Sequence, residues 1–541
     1  MAQYFFFGKI RVIVTSLFLL VSCTFVICQS TDPFAKNFKN PDDDYKPATW
    51  MHGMSGNMSK VGMTKDLEAI KKVGIGKVLL FNITQGIPHG PIKYASKDHF
   101  DIIQHAIAES DRLGLEFGTH NCDGWTSSGG PWVTPENSMK RVVWTKQIID
   151  GGKSPIYLKQ PTTIAGLYKD ITVIAYPSLN SELEDIAVFP KLSSSDPTFP
   201  IENIFSDVES NEYHKLKYNN DKKAFINFDY PIKRNIRSVT LSMSDRNGEV
   251  TLEKSDDGIN YVKVRDLLKV RLGKGEWAIS DNFPAIQAKH FRLSFNSECN
   301  IRRVQFTSEH LLQNYLSAIS MARTEADALH SGYAPTKGDI IDPQTILFFG
   351  TPNNDQTILL DLPKGMKWTV MRFGYTSTGA VNSPASNEGR GLEVDKLDKR
   401  ALEIHFEKFI GKIADVANKN GNQSFKYSEI DSYEMGGQNW TNALGDELLK
   451  RKRFDILKYM PIFAGKYVES EKSTKAILND LRDVISQLMV ENYYGHFQTL
   501  CNERGLKSYV EPYGFGPFNF LDAAGKSDLT MGEFWMGRPI T

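Results

Sequence analysis

Short apolar runs that end in polar and aromatic residues, separated by stretches of helical periodicity, limit this chain to a layered β/α architecture. Residues 77–82, Lys77-Val78-Leu79-Leu80-Phe81-Asn82, read as a buried parallel strand, and residues 115–120 read as another. Between them Ile102, Ile103, Ala106, Ile107 and Leu113 recur at helical spacing. A preceding helix is expected over 64–73, capped by Thr64 and ended by Gly74. The strand ends carry Trp50-Met51-His52-Gly53, then Asn82, then His120-Asn121-Cys122-Asp123-Gly124-Trp125. In a parallel barrel the carboxyl ends of the strands line one face, where chemistry is done. Three such ends in succession point to a site.

Between about residues 172 and 308 the pattern changes to short alternating strands, including 235–243, 249–254, 261–264 and 290–295, with turns such as Ser255-Asp256-Asp257-Gly258. This predicts an all-β sandwich inserted between barrel elements. Residues 250–261 and 291–295 resemble the discoidin or galactose-binding-like sandwich, whose members bind sugars or serve as structure. Alternation then resumes. Residues 368–374 are expected as a fourth strand, 425–431 as a fifth and 508–511 as a sixth, with helices over 401–418, 443–453 and 474–504. The expected fold class is therefore α/β, a (β/α)8 TIM-barrel-type domain with about six strands present and an inserted galactose-binding-like sandwich. The expected organisation is a signal over 1–30, a first barrel part over 31–165, the insert over 166–310 and a second barrel part over 311–541. Because closure takes eight strands, the chain is expected to be an N-terminal fragment that stops before the barrel closes.

Lys9 and Arg11 precede an apolar run from Val12 to Cys28, which Gln29-Ser30-Thr31-Asp32 follow. A basic flank, an apolar stretch and a polar exit form an export signal, placing the product in the periplasm, on the cell surface or outside a bacterial cell. Leu20-Val21-Ser22-Cys23 also resembles a lipobox, which would anchor the chain to a membrane by a lipid at Cys23. Outside that segment remain Cys122, Cys299 and Cys501, an odd number without metal-ligand spacing, so no disulfide framework is expected. The 64 Lys and Arg balance 64 Asp and Glu, which leaves no basic excess for nucleic acid.

Carboxylates cluster at the later strand ends. Asp431-Ser432-Tyr433-Glu434 follows the fifth strand, Glu511-Pro512-Tyr513-Gly514 ends the sixth, and Glu533-Phe534-Trp535 lies beyond. Trp440, Tyr513, Phe515 and Trp535 surround them in sequence. Sugar hydrolysis needs this combination: aromatic faces stack on pyranose rings, one carboxylic acid protonates the leaving oxygen, and a second carboxylate activates water or attacks the anomeric carbon. The same oxygens, Asp431, Glu434 and Glu533 among them, are hard ligands of the kind calcium prefers, and the sequence does not separate ligand from acid.

At these residues the chain resembles glycoside hydrolase family 106, the α-L-rhamnosidases found largely in bacteria that degrade plant polysaccharides. The resemblance rests on Trp50 to Asn57, Asp66-Leu67-Glu68-Ala69 with Gly74-Ile75-Gly76, and His120 to Trp125 with Ser127 to Trp132. It continues through Arg372 to Thr376, Gly391 to Lys396, Asp431 to Glu434 with Trp440-Thr441, and Met531 to Trp535. It implies an exported, calcium-assisted, inverting enzyme that releases terminal L-rhamnose from a rhamnose-containing glycan. Glu434 then looks like the general acid, Glu533 like a carboxylate near calcium or sugar, and Glu511 like its fallback partner. Asp431 and Glu533 are the implied metal ligands. His52, His120, Asn121, Trp125, Arg372, Trp440, Tyr513 and Trp535 are the implied substrate-binding residues. The family's general base is expected on the next barrel strand, after Thr541. Two departures stand out, Trp50-Met51-His52 where consecutive aromatics are frequent and Tyr433 where Trp is usual. A non-catalytic glycan-binding protein and a retaining glycosidase using Glu434 and Glu511 remain alternatives.

Overall fold

The computed structural model describes residues 33–39, 41–126, 128–205, 212–244, 248–273, 275–322, 332–534 and 536–537. The expected signal, Cys23 and Trp535 lie outside the described residues.

Six parallel strands form one sheet in sequence order: β1 (Ala48–Met54), β2 (Lys77–Ile83), β3 (Glu116–Asp123), β4 (Phe425–Ile430), β5 (Lys507–Val510) and β6 (Leu529–Thr530). From Val78 to Ile83 every residue of β2 is buried, as befits a strand covered on both faces. Strand β1 is one edge of the sheet and β6 the other. Helices share the core of this sheet, among them Lys60–Lys72, Lys97–Leu113, Lys399–Phe406 and Glu471–Met489. Helix Lys97–Leu113 is started by Ser96, whose side chain accepts the His99 N–H, and stopped at Gly114, whose φ of 62° is left-handed. Its neighbour begins a turn before the expected 64. Ser59 is the cap, and the Thr64 hydroxyl is spent on His105 Nε2 of the next helix, 2.9 Å away.

The expected fourth strand, 368–374, is not part of this sheet. It lies inside the 21-residue strand Thr357–Ser377, which runs antiparallel to Lys140–Tyr157 and Lys169–Pro177 in a separate four-stranded sheet with Leu347–Gly350. Residues Trp368 to Ser377 are continuously buried, and a continuous apolar run has the same appearance in a parallel strand as in a covered antiparallel one. Among the described residues the sheet still has six strands, because β6, two residues long, adds to its edge beside β5. A two-residue strand has no periodicity to read.

An eight-stranded antiparallel sheet covers residues from Lys191 to Thr307 and is built on two 20-residue strands, Ala224–Met243 and Glu276–Phe295. Register shifts between Asn282 and Ile286 and between Ala288 and His290 bend the pair. Its core, including Phe228, Phe291 and Phe306, is separate from the core of the parallel sheet. The four-stranded sheet draws strands from both sides of this unit in sequence. Lys169–Pro177, inside the expected insert of 166–310, therefore pairs with flanking chain rather than with the eight-stranded sheet.

A buried ion-pair network joins these layers. Lys466 Nζ meets Glu182 at 2.5 Å and also Glu309, which in turn binds Lys146 at 2.6 Å. All four side chains are at least nine-tenths shielded from solvent.

Candidate active site

Strand alternation puts Glu429 and Asp431 on one face of β4 and its extension, beside Glu511 at the end of β5. Backbone hydrogen bonds continue the pairing past both strands. The Glu511 N–H donates to Ile430 O (2.9 Å), Tyr433 N–H to Tyr513 O (2.8 Å) and Phe515 N–H to Tyr433 O (2.8 Å). The two carboxylate-bearing loops are therefore held edge to edge.

The electrostatics are those of like charges brought together under burial. Burial, the neighbouring Glu511 and, more weakly, Glu533 push the Asp431 carboxyl up to about 9, against a hydrogen bond from the Ser432 N–H. Burial raises Glu511 as well, with Glu533 adding repulsion. Glu429 sits behind them, pushed well above the carboxylate range by burial and then by Asp431 and Glu511. Both its carboxyl oxygens and Oε2 of Glu511 lack a hydrogen-bond partner among the described residues. The Tyr513 hydroxyl lies against Glu511 and Glu533, and burial with their charge raises its pKa. Glu533 itself is exposed. Glu434 is half-buried, three residues beyond Asp431 on the same loop.

The other expected site residues divide into two groups. His120 joins the cluster: it stacks on Phe81 at 4.8 Å, and its Nε2 accepts the Asp431 N–H at 3.4 Å. Burial lowers its pKa to about 4, so the ring is neutral at physiological pH. His52 stands exposed at the end of β1 between Trp50 (6.5 Å) and Phe81 (6.1 Å). Trp125 is half-buried just after β3, its N–H donating to Ser383 O at 3.2 Å.

Asn121, Arg372 and Trp440 are placed elsewhere. Asn121 braces β3, donating to Glu429 O (2.9 Å) and accepting from His405 Nε2 (2.9 Å), while His405 Nδ1 accepts from Trp132 Nε1 (3.0 Å). Arg372 is a structural residue of the four-stranded sheet, paired with both oxygens of Asp170 at 2.7 Å and donating to Leu158 O. Trp440 is buried against Tyr375, with ring centroids 6.3 Å apart. The Tyr433 departure also faces inward. Its ring is fully buried, 5.7 Å from Phe518, so this change bears on core packing rather than on the face of the cluster.

Two groups escaped sequence reasoning. Glu429 lies two residues before Asp431 in a largely buried strand, and that spacing alone places it on the same face. Asp123, at the end of β3, receives the Ser386 N–H (2.9 Å) and Oγ–H (2.6 Å), fixing the 383–390 loop. Burial raises its carboxyl from 3.8 to about 6 despite these bonds. Its folded form thus binds more protons than the unfolded chain, and the stability it contributes is present below pH 3.8 and lost as pH rises through about 6. The difference is worth about 3 kcal/mol. Asp123→Asn should remove this slope, and denaturant titrations of both proteins at pH 4 and pH 7 will show it. Parallel pH dependence in the two would assign the slope to other groups.

A cleft of about 460 Å³ is lined by Met435 and Gly436, the two residues that follow Glu434, by Ser383, and by residues of the eight-stranded sheet. From that sheet Arg271 stacks on Phe515 at 3.7 Å, fastening the insert to the loop after β5.

Residues 39–540 match the model of glycoside hydrolase family 106, described as alpha-L-rhamnosidase. The chain belongs to this family. Its fold is that of a rhamnosidase: a rhamnosidase from Novosphingobium sp. PP1Y superposes with a TM-score of 0.76 at 25% identity, over 91% of this chain and 48% of that one. A protein named putative beta-glucuronidase from Formosa agariphila is 32% identical over 505 residues, 92% of this chain and 32% of its own length. The chain thus spans about half the length of the solved rhamnosidase and about a third of the curated relative.

Proposed function

We propose that the protein is an exported glycosidase that hydrolyses terminal α-L-rhamnosides of plant-type polysaccharides with inversion, its parallel sheet being part of a (β/α)8 barrel. The observation that carries this reading is the carboxylate cluster of Glu429, Asp431 and Glu511, gathered at the strand ends of a rhamnosidase-family fold next to Glu434.

Glu434 is the general acid. It donates its proton to the glycosidic oxygen as the bond to the anomeric carbon breaks, so that the aglycone leaves as an alcohol without an alkoxide forming. Inversion needs a second carboxylate roughly 6.5–9.5 Å away to take a proton from the attacking water. Glu511 and Glu533 are the carboxylates this chain brings to the acid's side of the sheet. His120, neutral and stacked on Phe81, orients the Asp431 backbone.

Calcium fits the donors. Asp431 and Glu511 are buried oxygen ligands whose mutual repulsion a hard cation would relieve, and Glu511 keeps an unsatisfied oxygen. Among the described residues no three side chains already converge as a ligand set, so sugar hydroxyls and water would complete the shell. When bound, the ion would supply positive charge for holding vicinal sugar hydroxyls.

The test is hydrolysis of an aryl α-L-rhamnoside, with and without a calcium chelator. Release of rhamnose that the chelator suppresses and added calcium restores is the expected result. Release from an aryl β-glucuronide, with none from the rhamnoside, would overturn the substrate assignment.

A further inference from the structure

The cleft lined by Met435 and Gly436, next in the chain after Glu434, is more basic than a neutral rhamnoside requires. Four arginines line it, Arg141, Arg302, Arg303 and Arg390, against a single carboxylate, Glu276, a local excess of 4 − 1 = 3 positive charges. The chain as a whole is balanced at 64 of each sign, so this excess belongs to the cleft rather than to a generally basic surface. Glu276 is engaged by Arg302, with Arg141 3.9 Å away. Arg303 is only 5% exposed. Its Nη2 donates to Gln305 Oε1 at 3.1 Å and its guanidinium lies 5.6 Å from the Trp144 ring centroid, yet its Nε has no hydrogen-bond partner among the described residues. A buried charged donor left unmet costs free energy until an acceptor arrives. Arg390 stands exposed where a separate segment lines the cleft, in the loop that Asp123 fixes through Ser386. Trp144 and Tyr213 add aromatic surface of the kind on which a sugar ring can stack.

We propose that this cleft binds an anionic sugar, carrying a carboxylate or a sulfate ester, joined to the rhamnose that is released, with Arg303 and Arg390 reading its negative charge. The inference rests on the rhamnosidase reading for the identity of the released sugar, and on the cleft alone for the charge of its neighbour. Guanidinium groups suit this task because their fork of donors matches carboxylate and sulfate oxygens.

Two measurements separate these dependences. Binding of glucuronate, glucose 6-sulfate and neutral glucose to the protein is followed by ligand-observed NMR. The anions should bind and glucose should not, and the tighter anion identifies the carboxylate or sulfate source. Arg303→Gln and Arg390→Gln should each weaken anion binding about tenfold, the loss expected for one charge-assisted hydrogen bond. The exposed Arg390 keeps the test open if the buried substitution impairs folding. Separately, kcat/KM is compared for a rhamnosyl-glucuronate disaccharide and its carboxyl-reduced neutral counterpart. The acidic-to-neutral ratio should fall about tenfold in either variant. Equal binding of glucose and the anions, or anion binding untouched in both variants, overturns the proposal. Failure of the rhamnosidase reading looks different: neither disaccharide is cleaved, while anion binding still depends on the arginines.

Discussion

Glu434→Gln should lower kcat on a rhamnoside with a poor leaving group by about 10²- to 10⁴-fold, the range typical of a lost general acid. The amide keeps the shape of the carboxyl but carries no proton to give. Glu434 is half-buried on a loop pinned by backbone bonds at Tyr433 and Phe515, so the fold should survive and circular dichroism should be unchanged. The decisive control is the leaving group. The dinitrophenolate of a dinitrophenyl rhamnoside departs as a stable anion and needs little protonation, so this substrate should lose far less rate than an alkyl rhamnoside. Equal losses on both substrates would mean that Glu434 positions the sugar rather than protonating it. If Glu434→Gln keeps full activity, the acid lies elsewhere. A retaining mechanism with Glu511 as nucleophile would show itself by a trapped glycosyl-enzyme, which an inverting enzyme never forms.

The sequence exposes this site unevenly, for physical reasons. An apolar run such as 77–82 is legible because both faces of a parallel strand are covered. The polar strand ends, with His120, Asp431, Glu434 and Glu511, follow from the same pattern. The direction of each side chain is harder to read. His120 and Asn121 are adjacent, yet alternation sends one to the carboxylates and the other to His405 on the opposite side. Arg372 illustrates a different limit. It sits in a motif of the family, but the burial that makes the run conspicuous comes from the four-stranded sheet, where the guanidinium is consumed by Asp170. Trp440 carries the same lesson: an aromatic near Glu434 in sequence is packed on Tyr375 in the core. The arginine cleft was invisible because its walls come from positions 141, 302, 303 and 390, and only the folded insert brings them together.

Lys396→Met should destabilise the protein by about 3–5 kcal/mol, the usual cost of removing one partner from a buried ion pair. The motif from Gly391 to Lys396 supplies no group to the carboxylate face; its charges are structural. Lys396 Nζ lies 2.6 Å from Glu393 Oε2 with both side chains fully buried, and it also donates to Ser128 O and Val394 O. Burial pulls the Lys396 pKa down while Glu393 holds it up. Glu393 accepts the Ser128 N–H at 3.0 Å, tying the loop after β3 to this motif. The next acid in the motif, Asp395, pairs with buried Lys140 at 2.8 Å and accepts from Gln438 and from Thr441 Oγ1. Those last two residues belong to the stretch that follows Glu434, so the motif holds the Glu434 loop against the strand Lys140–Tyr157. With Lys396 gone, the Glu393 carboxylate is left in the core with only neutral donors, and it must either take up a proton or pull the loops apart. The double variant Glu393→Gln with Lys396→Met should recover most of the loss, because no charge then remains to be solvated. Denaturant unfolding of the two variants measures this directly. A single variant within about 1 kcal/mol of the parent would show that water reaches Glu393, and that the brace on the Glu434 loop runs through Asp395 and Lys140 alone.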